Sequence, residues 1–209
     1  MDKEFILNHN KKYFWFSPFQ QVFEYPGNIV FGRNVKIGIG TVIRPNVVIY
    51  DDVVIGDNCV IDSGVVIGAP GFSTHIIDGK AMRMKNVGGV TIGNNVEIGA
   101  NSCVDRASLE YHYTVIEDNV FIDNLCHIAH NCVISSNVRI APLTCVGGSA
   151  TIGEYTWISM CCAIRDHVRI GKDCFVCMNS IVTEDLQDGT RMNSFSSKKR
   201  SDEFGTTPY

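Results

Sequence analysis

From Phe31 onward the chain repeats an apolar residue every six positions: Phe31, Ile37, Ile43, Ile49, Ile55, Ile61 and Ile67. Four residues after each of the first six stands a small or β-branched one: Val35, Thr41, Val47, Val53, Cys59 and Val65. A helix of 3.6 residues per turn cannot generate a six-residue period, whereas short strands joined by tight corners do. The rhythm lapses between Ala69 and Gly89, resumes at Ile92 and continues to Val182, with Glu110 alone out of the apolar register. The pattern predicts an all-β domain over residues 29–183, a prism of parallel strands with three hexads per coil and a loop excursion at 69–89. Positions eighteen apart then lie one strand spacing apart, about 4.8 Å, and stacked strands satisfy one another's backbone groups.

Hexad position sorts the other residues. Cys59, Cys126, Cys132, Cys162 and Cys174 fall at the small inward position, where cysteine acts as a compact apolar residue. The residue after each inward one points outward, and it is apolar at Val48, Val66, Phe121, Val133, Trp157 and Ile181 among others. That is more than a surface leaves to water, so a subunit interface is expected. One face stacks His127, Cys145, Ala163 and Ile181.

The flanks lack hexads. Residues 1–28 are rich in aromatics and read as a cap over the first coil, since an open repeat end must be covered. Residues 184–209 read as a polar C-terminal tail, with Lys198, Lys199 and Arg200 as a solvated basic run. The net charge of -4 argues against nucleic acid as a partner. No apolar run reaches the roughly 18 residues of a membrane span and no export signal is visible, so no membrane insertion and a cytoplasmic location are expected. Nine cysteines in such a chain do not read as a disulfide framework, and the lone Cys174/Cys177 pair is weak as a metal site.

Candidate chemistry centres on Ile122–Ser149, IDNLCHIAHNCVISSNVRIAPLTCVGGS. His130 takes the third place of its hexad, at a corner. Counting by eighteen puts Asn94, His112, His130, Gly148 and Asp166 on one edge. A neutral imidazole can take a proton from an attacking amine or hydroxyl. A glycine N–H one coil away can stabilise an oxyanion.

The hexad pattern resembles that of the hexapeptide-repeat acyltransferases, and this resemblance implies a left-handed parallel β-helix and a homotrimer. From about Val65 to Val182, through VTIGNNVEIGANSCVDRASL, VFIDNLCHIAHNCVI and VGGSATIG, the chain is similar to the UDP-3-O-acylglucosamine N-acyltransferase family. The resemblance implies His130, in IAHN, as general base and Gly148 as oxyanion N–H. It also points to His167 and Asp123 as substrate or donor contacts. His127, Asn131, Asp105 and Arg106 join them as candidates, the last two for sugar or phosphate. Two departures stand out: residues 1–28 are too short for the family's uridine-binding domain, and the tail is too short for its carrier-protein helices.

The expectation is therefore an N-acyltransferase. It would move an acyl group from a thioester, with acyl-CoA as co-substrate, to the amine of a nucleotide-linked amino sugar in surface polysaccharide or glycan synthesis. No bound cofactor or metal is required. The alternatives are the lipid A type reaction with acyl carrier protein, or sugar O-acylation. From other classes come a γ-type carbonic anhydrase, whose five-apart histidine pair is missing here, and a non-catalytic trimeric scaffold.

Overall fold

The computed structural model describes residues 28–193, which form a left-handed parallel β-helix with no α-helix among them. Most strands are two residues long, as in Val133–Ile134 and Arg139–Ile140. Each hexad explains its own coil segment. Its isoleucine points inward and is buried, two residues turn, the small residue points back inward, and the next residue faces out. The second turn residue has a left-handed backbone, with φ of 63° at Asn46, 54° at Asn58, 58° at Asn119 and 62° at Asn131. Asparagine tolerates that conformation better than other non-glycine residues, which accounts for its recurrence at this place.

The strands form three sheets, the faces of a triangular prism around one core of stacked isoleucines and valines. On the first face the outward residues include Val48, Val66, Cys103, His127, Cys145 and Ala163. On the second they include Val54, Thr91, Val115 and Val133. On the third they include Glu97, Phe121, Arg139, Trp157 and Phe175. The small inward position also has a polar duty. Thr41, Thr144 and Thr156 donate from Oγ1 to the carbonyls of Gly56, Ser159 and Gly171. Cys126, Cys132 and Cys162 donate from Sγ to Ala141, Gly147 and Cys177 in the same way. A short side chain with one donor thus satisfies a corner carbonyl of the next coil, and cysteine serves as threonine does.

Most coils stack at an offset of eighteen, for example Val133 on Thr151 and His127 on Cys145. Two do not. Ile55 pairs with Ile92 and Ile92 with Ile116, so these coils carry extra residues. In the first, the chain leaves after Val66–Pro70, forms an antiparallel hairpin of Thr74–Ile77 and Lys80–Arg83, and rejoins at Gly89. In the second, one whole hexad, 107–112, is looped out after Cys103–Arg106. Both excursions leave the same edge, between the first and second faces.

The looped-out hexad corrects the count by eighteen. Because it is six residues long, it preserves the sequence rhythm while advancing the chain by one face. Asn94 consequently lies on the edge between the second and third faces, where its N–H donates to Asp118 Oδ1 (2.7 Å) and its Oδ1 accepts from Asp57 N (2.8 Å). His112 is exposed in the loop, with Nδ1 3.1 Å from the Glu110 carbonyl. His130, Gly148 and Asp166 do share one edge: Ser149 N donates to His130 O and Gly147 N to Ile164 O.

The coil also runs past residue 183. Leu186 bridges to Ile170, and Arg191–Met192 pairs with Phe175–Val176. The aromatic segment read as a cap, apart from Asn28, and the basic run at 198–200 lie outside the described residues. Among the described residues no helix is long and apolar enough to cross a membrane.

Candidate active site

His130 follows the strand His127–Ile128 at the edge from which both excursions spring. Its ring is held by its neighbour in sequence. Nδ1 lies 3.0 Å from Asn131 Oδ1, and that same oxygen accepts from Ser108 N (3.1 Å) and Ser108 Oγ (2.6 Å). A backbone N–H can only donate, so the Asn131 atom between them is an acceptor, and His130 Nδ1 carries the proton that faces it. Nε2 is left with its lone pair, the form a base needs. Asn131 is itself fixed, because its N–H donates to the buried Thr114 Oγ1 at 2.9 Å.

The ring lies between two glycines. A Cβ on Gly148 would meet His130 Cε1 at 2.7 Å and Nε2 at 2.8 Å. A Cβ on Gly71, where the first excursion crosses the edge, would meet Cδ2 at 2.9 Å. Neither glycine has a positive φ, so close approach to the imidazole, rather than a special turn, requires it. The Gly148 carbonyl accepts from His167 N at 2.9 Å. Its N–H donates to no other group among the described residues.

Beside this pair, Asp105 Oδ2 lies 3.4 Å from His127 Nε2. Asp105 is buried, and burial raises its carboxyl pKa even though His127, His130 and Arg83 each pull it down. Arg83 reaches back from the hairpin to the carbonyls of Pro70 and Gly71, at 3.3 and 3.4 Å. Four of the sequence candidates therefore gather at His130: Gly148, Asn131, Asp105 and His127.

The others lie elsewhere or face other groups. Arg106 donates to the carbonyls of Gly68 and Asp51 and ties neighbouring coils together. His167 touches the site through its backbone, while its exposed ring lies 3.9 Å from Asp166 Oδ2. Asp123 lies on the edge between the third and first faces, accepting from Asn124 N at 2.7 Å. Sequence reasoning missed Gly71, Arg83, Ser108 and Thr114. Only Gly71 carried a signal, as a glycine inside the excursion.

Comparison with known proteins gives consistent findings. The family model described as bacterial transferase hexapeptide (six repeats) matches residues 28–69 and 113–148. The chain is 34% identical over 164 residues to UDP-3-O-acylglucosamine N-acyltransferase of Herminiimonas arsenicoxydans, covering 78% of this chain and 46% of that protein. It is 39% identical over 127 residues to a probable mitochondrial UDP-3-O-acylglucosamine N-acyltransferase of Arabidopsis thaliana, covering 60% and 41%. The chain thus spans about half the length of the curated relatives it matches. Among solved structures, UDP-N-acetylglucosamine acyltransferase of Francisella novicida superposes with a TM-score of 0.69 at 27% identity, over 75% of this chain and 55% of the other.

Proposed function

We propose that this chain, a hexapeptide-repeat β-helix resembling the UDP-3-O-acylglucosamine N-acyltransferases along its coils, transfers an acyl group from a phosphopantetheine thioester to the amine of a UDP-linked amino sugar. The names of the relatives favour a 3-O-acylated glucosamine as acceptor over an unspecified nucleotide sugar, and so favour the lipid A type alternative over the acyl-CoA reading first preferred. Coenzyme A and acyl carrier protein present the same thioester, so the donor is specified here by that group.

The supporting observation is the fixed imidazole. With Nδ1–H committed to Asn131, His130 Nε2 accepts the proton of the amine as its nitrogen attacks the thioester carbonyl. Gly148 N–H donates to the oxygen that becomes negative. The tetrahedral intermediate collapses, the carbon–sulfur bond breaks, and the imidazolium returns its proton to the leaving thiolate. In this reading Asp105 and His127, on the same edge, hydrogen-bond sugar hydroxyls. His167, on the next coil, is the donor contact in the same reading. The working assembly is a homotrimer, which covers the apolar outward positions of the prism faces.

The test is a product assay with UDP-3-O-acylglucosamine and matched acyl-CoA and acyl carrier protein donors. His130→Ala should lower kcat by about 10²–10⁴-fold without changing the circular dichroism of the fold. Wild-type protein that turns over neither donor, or a His130→Ala variant as fast as wild type, would sink the reading.

A further inference from the structure

The hairpin that leaves the His130 edge carries apolar side chains that the coil does not bury. Its strands, Thr74–Ile77 and Lys80–Arg83, meet through an Asp78-Gly79 turn with left-handed backbone, φ 50° and 74°, and every residue of both strands is exposed. Phe72 is 83% exposed, Ile76 72%, Ile77 50% and Met82 49%, and Met84 and Val87 also lie outside the core. A two-stranded hairpin is at best marginally stable by itself in water, so this one is held at its root. Met84 N donates to Ser73 O at 2.8 Å, the buried Asn86 donates from Nδ2 to Ser73 Oγ at 3.4 Å, and Gly88 N donates to Ala107 O at 2.9 Å. An anchored root thus presents an uncovered apolar patch, the mark of an interaction surface.

The distribution of those side chains points to what covers them. Cross-strand pairing sets His75 opposite Met82 and Ile77 opposite Lys80 on one side of the ribbon. Ile76 opposite Ala81 and Thr74 opposite Arg83 lie on the other side. A rigid protein surface covers one side of a ribbon, whereas a fluid interfacial layer surrounds both. Between residues 72 and 87, Lys80, Arg83 and Lys85 stand against one carboxylate, Asp78, in a chain whose net charge is -4. Cations set among exposed apolar side chains are the composition of a surface that adsorbs to anionic lipid headgroups. Strands of four residues are far short of the roughly 9–11 that cross a bilayer, so the contact is peripheral.

The position of the hairpin supplies a reason for such a contact. Its base, Gly71, lies against the imidazole, where a Cβ would meet His130 Cδ2 at 2.9 Å. In the proposed reaction the acceptor arrives with one acyl chain and leaves with two, and each added chain moves a molecule toward lipid.

We propose that the hairpin seats the protein peripherally on an anionic bilayer. Ile76, Ile77 and Met82 enter the headgroup boundary, and Lys80 and Lys85 meet lipid phosphates. The site then opens beside the phase into which its product partitions. Only that purpose rests on the acyl-transfer reading; the docking itself does not.

Vesicle flotation tests the docking with the full chain and without any assay of turnover. Wild type should float with vesicles of mixed phosphatidylglycerol and phosphatidylcholine, and should bind phosphatidylcholine alone at least about tenfold more weakly. Lys80→Ala and Lys85→Ala should each cost about fivefold on the mixed vesicles, and high salt should remove the same advantage. Ile76→Glu combined with Met82→Glu should abolish flotation while circular dichroism and melting temperature stay at wild-type values, because neither residue belongs to the core.

Wild type that stays in the soluble fraction, equal binding to both kinds of vesicle, or a double variant that floats as wild type does overturns the proposal. So does a change in the double variant's mass by light scattering in lipid-free buffer, which would show that a second copy of the chain covers the hairpin. Protein that floats yet transfers no acyl group would sink the acyl-transfer reading and leave the docking supported.

Discussion

At His130 one nitrogen must be free of its proton, and Asn131 decides which one. Its Oδ1 is pinned as an acceptor by Ser108, so Nδ1–H is the donor and Nε2 the base. Asn131→Asp keeps the acceptor and suits the left-handed backbone at φ 62°. It adds a negative charge beside the ring, which favours the imidazolium. The acid limb of kcat/KM against pH should therefore move to higher pH, and an unmoved limb would show that Asn131 does not touch the base. Gly148→Ala brings a methyl within 2.8 Å of Nε2. The ring must swing away, and kcat should fall at least 10²-fold at a stability cost of about 1–3 kcal/mol, read from denaturant midpoints. The sequence exposed His130 and Gly148 because one-coil spacing is a property of the count. It hid Ser108 and Gly71, which reach the imidazole from excursions whose paths no periodicity specifies.

Among the elements, the looped-out hexad at 107–112 has the clearest division of labour. It adds no strand to the coil, touching it through buried Ala107 and the backbone bonds of residues 107 and 112 to Gly88 and Gly89, and it carries Ser108 to Asn131. Excising residues 107–112 should leave the β-helix intact by circular dichroism, with a melting temperature within a few degrees of wild type. Turnover should fall by at least tenfold, because the proton on Nδ1 is no longer enforced. Collapse of the fold would mean that the loop braces the coil through Gly88 N to the Ala107 carbonyl. Glu110 was the sole visible trace of this loop in the hexad pattern. A loop of any length other than a multiple of six would have announced itself, whereas this one kept the rhythm and shifted the face. The hairpin of Thr74–Ile77 and Lys80–Arg83 was legible only as an interruption, since its exposed strands have no core to pattern them.

In the whole molecule, Asp105 couples the site to stability. Its folded pKa is raised above the ordinary 3.8, chiefly by burial, so the folded chain keeps a proton that the unfolded chain has lost. Stability from this group is complete below that ordinary value and declines as pH rises through the folded pKa. Asp105→Asn removes the decline. The variant should gain on wild type in melting temperature as pH rises above that ordinary value, while losing activity, and a pH-independent difference would contradict the assignment. The prism architecture was determined by sequence alone, because a six-residue period with inward isoleucines and small corner residues has one way to bury its apolar positions. So were the burial of Cys59, Cys126, Cys132, Cys162 and Cys174 and the shared edge of His130 and Gly148. Tertiary structure decided which edge the excursions crown, and with it the company His130 keeps: Asp105 and His127 beside it, Asn94 and Asp123 on other edges, and His112 exposed in the looped-out hexad. A count modulo six fixes whether a side chain points in or out, but which of three faces it joins depends on every residue looped out before it.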